Sequence, residues 1–144
     1  MVFIIIIFVL LLDQLTKFLI SKILSYGQSL PVIGGVFHLT LLGNRGAAFG
    51  ILKNQTPFFI FASLLAISLI YFELRKKKHN ISYEIALGLI CSGTLGNLID
   101  RIRFGYVIDF LDFRIWPVFN IADSAISIGA VLLGWSILTI KDNH

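Results

Sequence analysis

PFFIFASLLAISLIYFELRKKK, running from Pro57 to Lys78, decides what kind of protein this is. Pro57 to Leu74 carries a single charge, Glu73, and the bases Arg75, Lys76, Lys77 and Lys78 follow without a break. About 20 mostly apolar residues in a helix cross the hydrocarbon core of a bilayer. Clustered Lys and Arg beside a span stay on the cytoplasmic side. The segment therefore reads as a membrane-spanning helix whose C-terminal end lies inside. Thr56 is the expected N-cap, with Pro57 at the first helical position.

Composition extends this reading to the whole chain. Of 144 residues, 57% are hydrophobic and 14% are Asp, Glu, Lys or Arg, and mean hydropathy is +0.89. Soluble domains run nearer 45–50% apolar and about 25% charged, so too little polar surface is present to cover a soluble particle. Disorder and collagen are excluded by the apolar content and the absence of a glycine period. Cys91 is the single cysteine, which excludes a disulfide scaffold. Net charge is +4, and the cluster after Leu74 accounts for it as a topology signal. No basic groove with interleaved aromatics accompanies it, so nucleic acid is not an expected partner.

Three more stretches reach spanning length: Val2 to about Leu24, about Tyr83 to Ile99, and about Ile121 to Ile140. The third helix is expected to start near Ser82, with Glu84 in its first turn where the helix dipole favours an anion. The opening MVFIIIIFVLLL lacks a basic lead and a small-residue cleavage site, so a retained first helix is expected rather than a signal peptide. Four spans and a cytoplasmic Arg75–Lys78 loop place both termini in the cytoplasm. Lys17, Lys22, Arg45, Lys53, Arg101, Arg103 and Arg114 fall on or toward the outer side. They are dispersed and several sit beside acids, so the dense cluster sets the orientation.

Two segments then face outward, Ser25 to Gln55 and Arg101 to Asn120. Leu30 to Leu42 is rich in branched and aromatic residues around Gly34 and Gly35, the pattern of a bent strand pair. Arg45 to Lys53 reads as a short amphipathic piece lying at the membrane interface. Arg101 to Asn120 mixes charges with Phe104, Tyr106, Phe110, Phe113, Trp116 and Phe119, which suits an interfacial belt. No repeat or linker interrupts the chain, and residues 1–144 are expected to form one domain. The expected fold class is an all-α membrane protein of four transmembrane helices, with a bent strand pair and a short interfacial piece outside.

With so few charges, each ionisable group near the membrane is a functional candidate, because a charge at the bilayer centre costs at least ~2.5–3.5 kcal/mol. Asp13 lies about 18 Å along the first helix, and Lys17 shares its face at i+4. The pair either braces a site or simply neutralises itself. Asp100, beside Arg101, suits ion pairing or capping, and Asp112 suits solvated pairing with Arg114. Asp109 sits inside Val107-Ile108-Asp109-Phe110-Leu111, where apolar surroundings raise a carboxyl pKa. Asp123 falls at the N3 position if Asn120 caps the fourth helix, a common place for a carboxylate. The connection between Asp109 and Asp123 is short enough to fold back. Two carboxyls brought together share a proton, so one can act as general base on water and the other as general acid.

Other chemistries find less support. Cys91 has no nearby His and reads as a buried structural residue. His38, His79 and His144 show no metal-ligand spacing, so no metal is expected. Gly93-Thr-Leu-Gly96 is helix-packing material, and Gly46 to Gly50 has the same small-residue spacing.

Five blocks together resemble bacterial lipoprotein signal peptidase (signal peptidase II) over essentially the whole chain. They are Asp13-Gln-Leu-Thr-Lys17; Asn44-Arg-Gly-Ala-Ala-Phe49; Gly93-Thr-Leu-Gly-Asn97-Leu-Ile-Asp100-Arg101; Gly105-Tyr-Val-Ile-Asp109-Phe110; and Phe119-Asn120-Ile-Ala-Asp123-Ser124. The resemblance implies an aspartyl endopeptidase of the bacterial cytoplasmic membrane, active at its outer face, without cofactor and sensitive to globomycin. It also implies a small extracytoplasmic β-cradle over Leu30–Leu42 and a short interfacial helix over Arg45–Lys53. Its substrates would be diacylglyceryl-modified prolipoproteins, cut just before the lipidated cysteine. The family's catalytic aspartates map onto Asp109 and Asp123. Arg101, Asn44 and Asn97 match positions expected to bind substrate backbone, Asn120 one that holds Asp123, and Asp13 and Lys17 ones that brace the site. A monomer with membrane lipids as further partners is expected. Two readings of another class stand beside this one: a small proton-coupled transporter using the acids as a relay, and a non-catalytic assembly factor.

Overall fold

In the computed structural model, residues 1–46, 54–76 and 80–141 are described. Four helices, α1 (Val2–Ile23), α2 (Thr56–Leu74), α3 (Ile81–Phe104) and α4 (Ile121–Lys141), accompany three strands, β1 (Ser29–Ile33), β2 (Phe37–Asn44) and β3 (Val107–Asp112). All four helices are long and apolar enough to cross a membrane. The solvent they suit is plain from what they expose. Phe3, Phe61, Phe72, Val131 and Trp135 stand about two-thirds exposed or more, while Asp13, Lys17, Asn97, Asp100 and Asn120 are buried. Apolar outside and polar inside is the arrangement lipid requires.

The most deeply buried helix is α3, with the others packed around it. Gly93 and Gly129 let α3 and α4 approach at backbone distance. A Cβ on Gly93 would run into the carbonyl oxygen of Ala122, and one on Gly129 would lie 2.9 Å from that of Ala86. Close backbone approach at small residues is how helices associate where lipid removes the hydrophobic drive. Gly93→Ala should therefore push the start of α4 away, lowering stability by about 1–3 kcal/mol with some loss of activity. An unchanged thermal midpoint in detergent would contradict this packing.

The strands form one antiparallel sheet in the order β1-β2-β3. The hairpin turns at Gly34–Val36, as the branched run around the paired glycines predicts. Leu24, Leu41 and Ile108 pack together and fix the sheet to the end of α1. Gly105 caps α3 in the left-handed region at φ 79°, its N–H bonded to Arg101 O, so the chain reverses at once into β3.

Several expected boundaries move. The N-cap of α2 is Gln55, without a side-chain bond. Thr56 instead donates its hydroxyl to Gly105 O at 2.9 Å, tying α2 to the end of α3. Helix α3 starts at Ile81 because Asn80 accepts from Tyr83 N at 2.7 Å. It runs to Phe104 rather than Ile99, since Asp100 is paired inside the protein and the stop signal is Gly105. The interfacial helix expected over 45–53 lies outside the described residues from 47 onward, as do Lys77 and Lys78 of the basic cluster.

Candidate active site

Strand β3 presents Asp109 opposite Leu42 of β2, and α4 presents Asp123 in its first turn. A short antiparallel bridge brings them together. Phe110 N and Leu111 N both donate to Phe119 O, and Phe119 N donates to Leu111 O, so the chain beyond β3 folds back and delivers Asn120 beside Asp109. Asn120 then does two jobs. Its Oδ1 accepts from Asp123 N at 2.8 Å while Asp123 Oδ2 accepts from Asn120 N at 3.3 Å, a reciprocal cap of α4. Its Nδ2 donates to Asp109 Oδ1 at 2.7 Å. Asn120 thus links both carboxyls, Asp109 through its side-chain Nδ2 and Asp123 through its backbone N–H.

The remaining polar groups converge on the same pair. Asn44 Nδ2 donates to Asp109 Oδ2 at 2.9 Å, and Asn97 Nδ2 donates to Asp123 Oδ1 at 2.8 Å. Asn97 Oδ1 accepts from Asn120 Nδ2 at 3.1 Å and from Lys17 Nζ at 3.2 Å. Both amides expected to hold substrate backbone are therefore turned toward the carboxyls. Burial, followed by the nearby charge of Asp123, pushes Asp109 up to about 7, with Asn44, Lys17 and Asn120 pulling the other way. A carboxyl with that affinity holds a proton near neutrality, which fits a general acid.

Asp123, Asn97, Arg101 and Asn44 line a cavity of about 460 Å³, with Phe59 of α2 and Phe119 on its walls. The Arg101 guanidinium lies over the Phe59 ring, 4.7 Å from its centroid. The guanidinium makes no hydrogen bond or ion pair among the described residues. Asp112, expected to be solvated, is buried. It accepts from Thr40 Oγ1 at 2.7 Å and pairs with Arg114 at 3.0 Å, because β2 crosses directly beside it.

Lys17 lies 2.8 Å from both Asp13 and Asp100, and all three are 2% exposed or less. The sequence offered Asp13 with Lys17 but gave Asp100 no part in the site. A signal was available: Asn97 and Asp100 are i and i+3 on one face of α3. Gln14, also overlooked, donates to Asp13 Oδ2 at 3.2 Å and to Asp100 Oδ1 at 3.1 Å. Among the described residues no three His, Cys, Asp or Glu side chains are placed to hold a metal ion.

Known proteins are similar to this chain in sequence and in fold. The family model described as Signal peptidase (SPase) II matches residues 5–139. The lipoprotein signal peptidase of Halothermothrix orenii is 51% identical over 133 residues, 92% of this chain and 92% of that protein. That of Pelotomaculum thermopropionicum is 48% identical over 143 residues, 97% of this chain and 93% of that protein. A bacterial membrane enzyme solved by the in meso method at 2.3 Å resolution superposes with a TM-score of 0.92 at 35% identity, covering 99% of this chain and 90% of that one. A second, at 1.9 Å, gives 0.83 at 36% identity, covering 99% and 94%. The sequence blocks, the polar interior and these likenesses agree, and the chain belongs to the signal peptidase II family.

Proposed function

We propose that this single-domain protein is an aspartic endopeptidase that removes signal peptides from diacylglyceryl-modified prolipoproteins, cutting just before the lipidated cysteine. The observation that carries the reading is the pair Asp109 and Asp123, joined through Asn120, with Asp123 on the wall of the cavity. Asp123 takes a proton from a water between the carboxyls while the water oxygen bonds to the scissile carbonyl carbon. Asp109 gives its proton to the carbonyl oxygen. Collapse of the resulting diol breaks the C–N bond: Asp123 passes its proton to the leaving cysteine nitrogen, and Asp109 recovers one from a diol hydroxyl. Arg101, which has no hydrogen-bond or ion-pair partner among the described residues, holds the extended peptide, and Asn44 and Asn97 first fix the carboxyls and then reach the substrate backbone. Positioning of this kind supplies much of the rate.

The basic run at Arg75–Lys78 supports cytoplasmic termini, which puts Asp109 and Asp123 at the outer face of the inner membrane. There the acyl chains of the substrate remain in lipid while water reaches the pair. The protein acts as a monomer among membrane lipids. The test is purified protein with a lipidated precursor, the product read by mass spectrometry. Cleavage on the N-terminal side of the lipidated cysteine is expected, and a precursor lacking the lipid should be cut far more slowly. Equal cleavage of both, or cleavage elsewhere, would overturn the reading.

A pH dependence follows from Asp109. The alkaline limb of kcat/KM should fall with a midpoint near 7 as the second carboxyl ionises and the general acid is lost. Stability has the same sign. A carboxyl raised to about 7 in the fold, against about 3.9 unfolded, contributes stability that is complete below about 4 and is lost as pH rises through about 7. Thermal melts between pH 4 and 8 check this, and Asp109→Asn should flatten the slope.

A further inference from the structure

We propose that Asp13 and Asp100, joined by Lys17, are positioning residues that set the spacing of Asp109 and Asp123 by gripping the backbone N–H immediately before each. The inference rests on the peptidase reading above. Asp100 Oδ2 accepts from Ile108 N at 3.1 Å, one residue before Asp109. Asp13 Oδ1 accepts from Ala122 N at 2.9 Å, one residue before Asp123. The two grips are equivalent, although one acts on a strand and the other on a helix start. Ala122 N lies in the first turn of α4, where backbone donors have no partner within the helix. Asn120 caps the next amide, and Asp13 supplies the acceptor from another helix.

The ammonium makes the two grips one device. Lys17 Nζ contacts Asp13 Oδ2 and Asp100 Oδ2 at 2.8 Å each, so neither carboxylate moves without the other. Its third contact, to Asn97 Oδ1 at 3.2 Å, leads through Asn97 Nδ2 to Asp123. Gln14 bridges the same two carboxylates from the side. Space for the device is reserved by Gly96, where a Cβ would lie 2.5 Å from Asp13 Oδ2. Asp100 thus has a role in the reaction geometry that simple ion pairing does not require. A carboxylate needed only to neutralise Lys17 need not take the amide of Ile108.

The experiment compares Asp100→Asn with Asp100→Ala, and Asp13→Asn with Asp13→Ala, on a lipidated precursor. Asn keeps an oxygen for the amide and Lys17 keeps one carboxylate partner; Ala removes the grip. The Ala variants should lose kcat by roughly 100-fold, the scale of an ångström of misplacement, with KM changed less than about twofold. The Asn variants should recover most of that loss. Hydrogen exchange gives a readout independent of turnover: the Ile108 amide should exchange faster in Asp100→Ala, and the Ala122 amide in Asp13→Ala. Equal loss in Asn and Ala, a loss confined to KM, or unaltered exchange at both amides would overturn the clamp. A parent protein that cleaves no lipidated precursor would instead overturn the peptidase reading.

Discussion

Asp109→Asn and Asp123→Asn should each lower cleavage of a lipidated precursor by roughly 10⁴-fold or more while the protein still accumulates in the membrane. An amide neither takes a proton from water nor gives one to a carbonyl oxygen, so either replacement removes one half of the proton cycle. The surrounding fold has reasons to survive. Asp123 keeps Asn120 as helix cap from the backbone side, and replacing Asp109 removes a buried carboxyl whose charged form the site disfavours. Asp112→Asn is the control. Asp112 lies three residues from Asp109 on the same strand, but its oxygens serve Thr40 and Arg114 and none of the groups around the pair. Its loss should change the rate less than about threefold, within the range of a peripheral polar contact. Full activity in either catalytic variant sinks the assignment. An equal loss in Asp112→Asn would mean that the loop geometry, rather than the carboxyl pair, carries the rate.

What the sequence made legible was governed by distance along the chain. Spans, the hairpin and the cap at Asn120 depend on neighbours within a few residues, and each could be read from periodicity, turn residues or an N3 carboxylate. The pair itself was legible because only a short connection separates Asp109 from Asp123. The Asp13 grip on Ala122 joins residues 109 apart in sequence, and nothing local signals it. The end of α3 was misplaced for a related reason. Asp100 and Arg101 look like the edge of a span when charges are assumed to face water, yet Asp100 is neutralised inside the bundle by a lysine from α1. The amides of Asn44 and Asn97 followed the same logic. The resemblance gave them the substrate backbone to bind, and after folding each also donates to one of the two carboxyls, a contact that no local pattern signals.

Lys17→Met should be the most destabilising single change in the interior. The ammonium holds two carboxylates that are 0% and 1% exposed, and it is itself 2% exposed. Removing one member of a buried ion set costs about 3–5 kcal/mol, because the charges left behind have neither water nor a partner. Gln14 alone, with one amide shared between Asp13 and Asp100, does not replace a full positive charge. The thermal midpoint in detergent should fall by roughly 10 °C or more. Replacing all three ions, as Lys17→Met with Asp13→Asn and Asp100→Asn, should restore over half of the lost stability. Neutral side chains carry no desolvation debt, and each Asn still presents an oxygen to Ala122 N or Ile108 N. Stability recovered by the triple variant without full recovery of activity would separate what the charges do for folding from what they do for Asp109 and Asp123. A Lys17→Met protein that melts with the parent would mean that the ammonium does not hold Asp13 and Asp100 together.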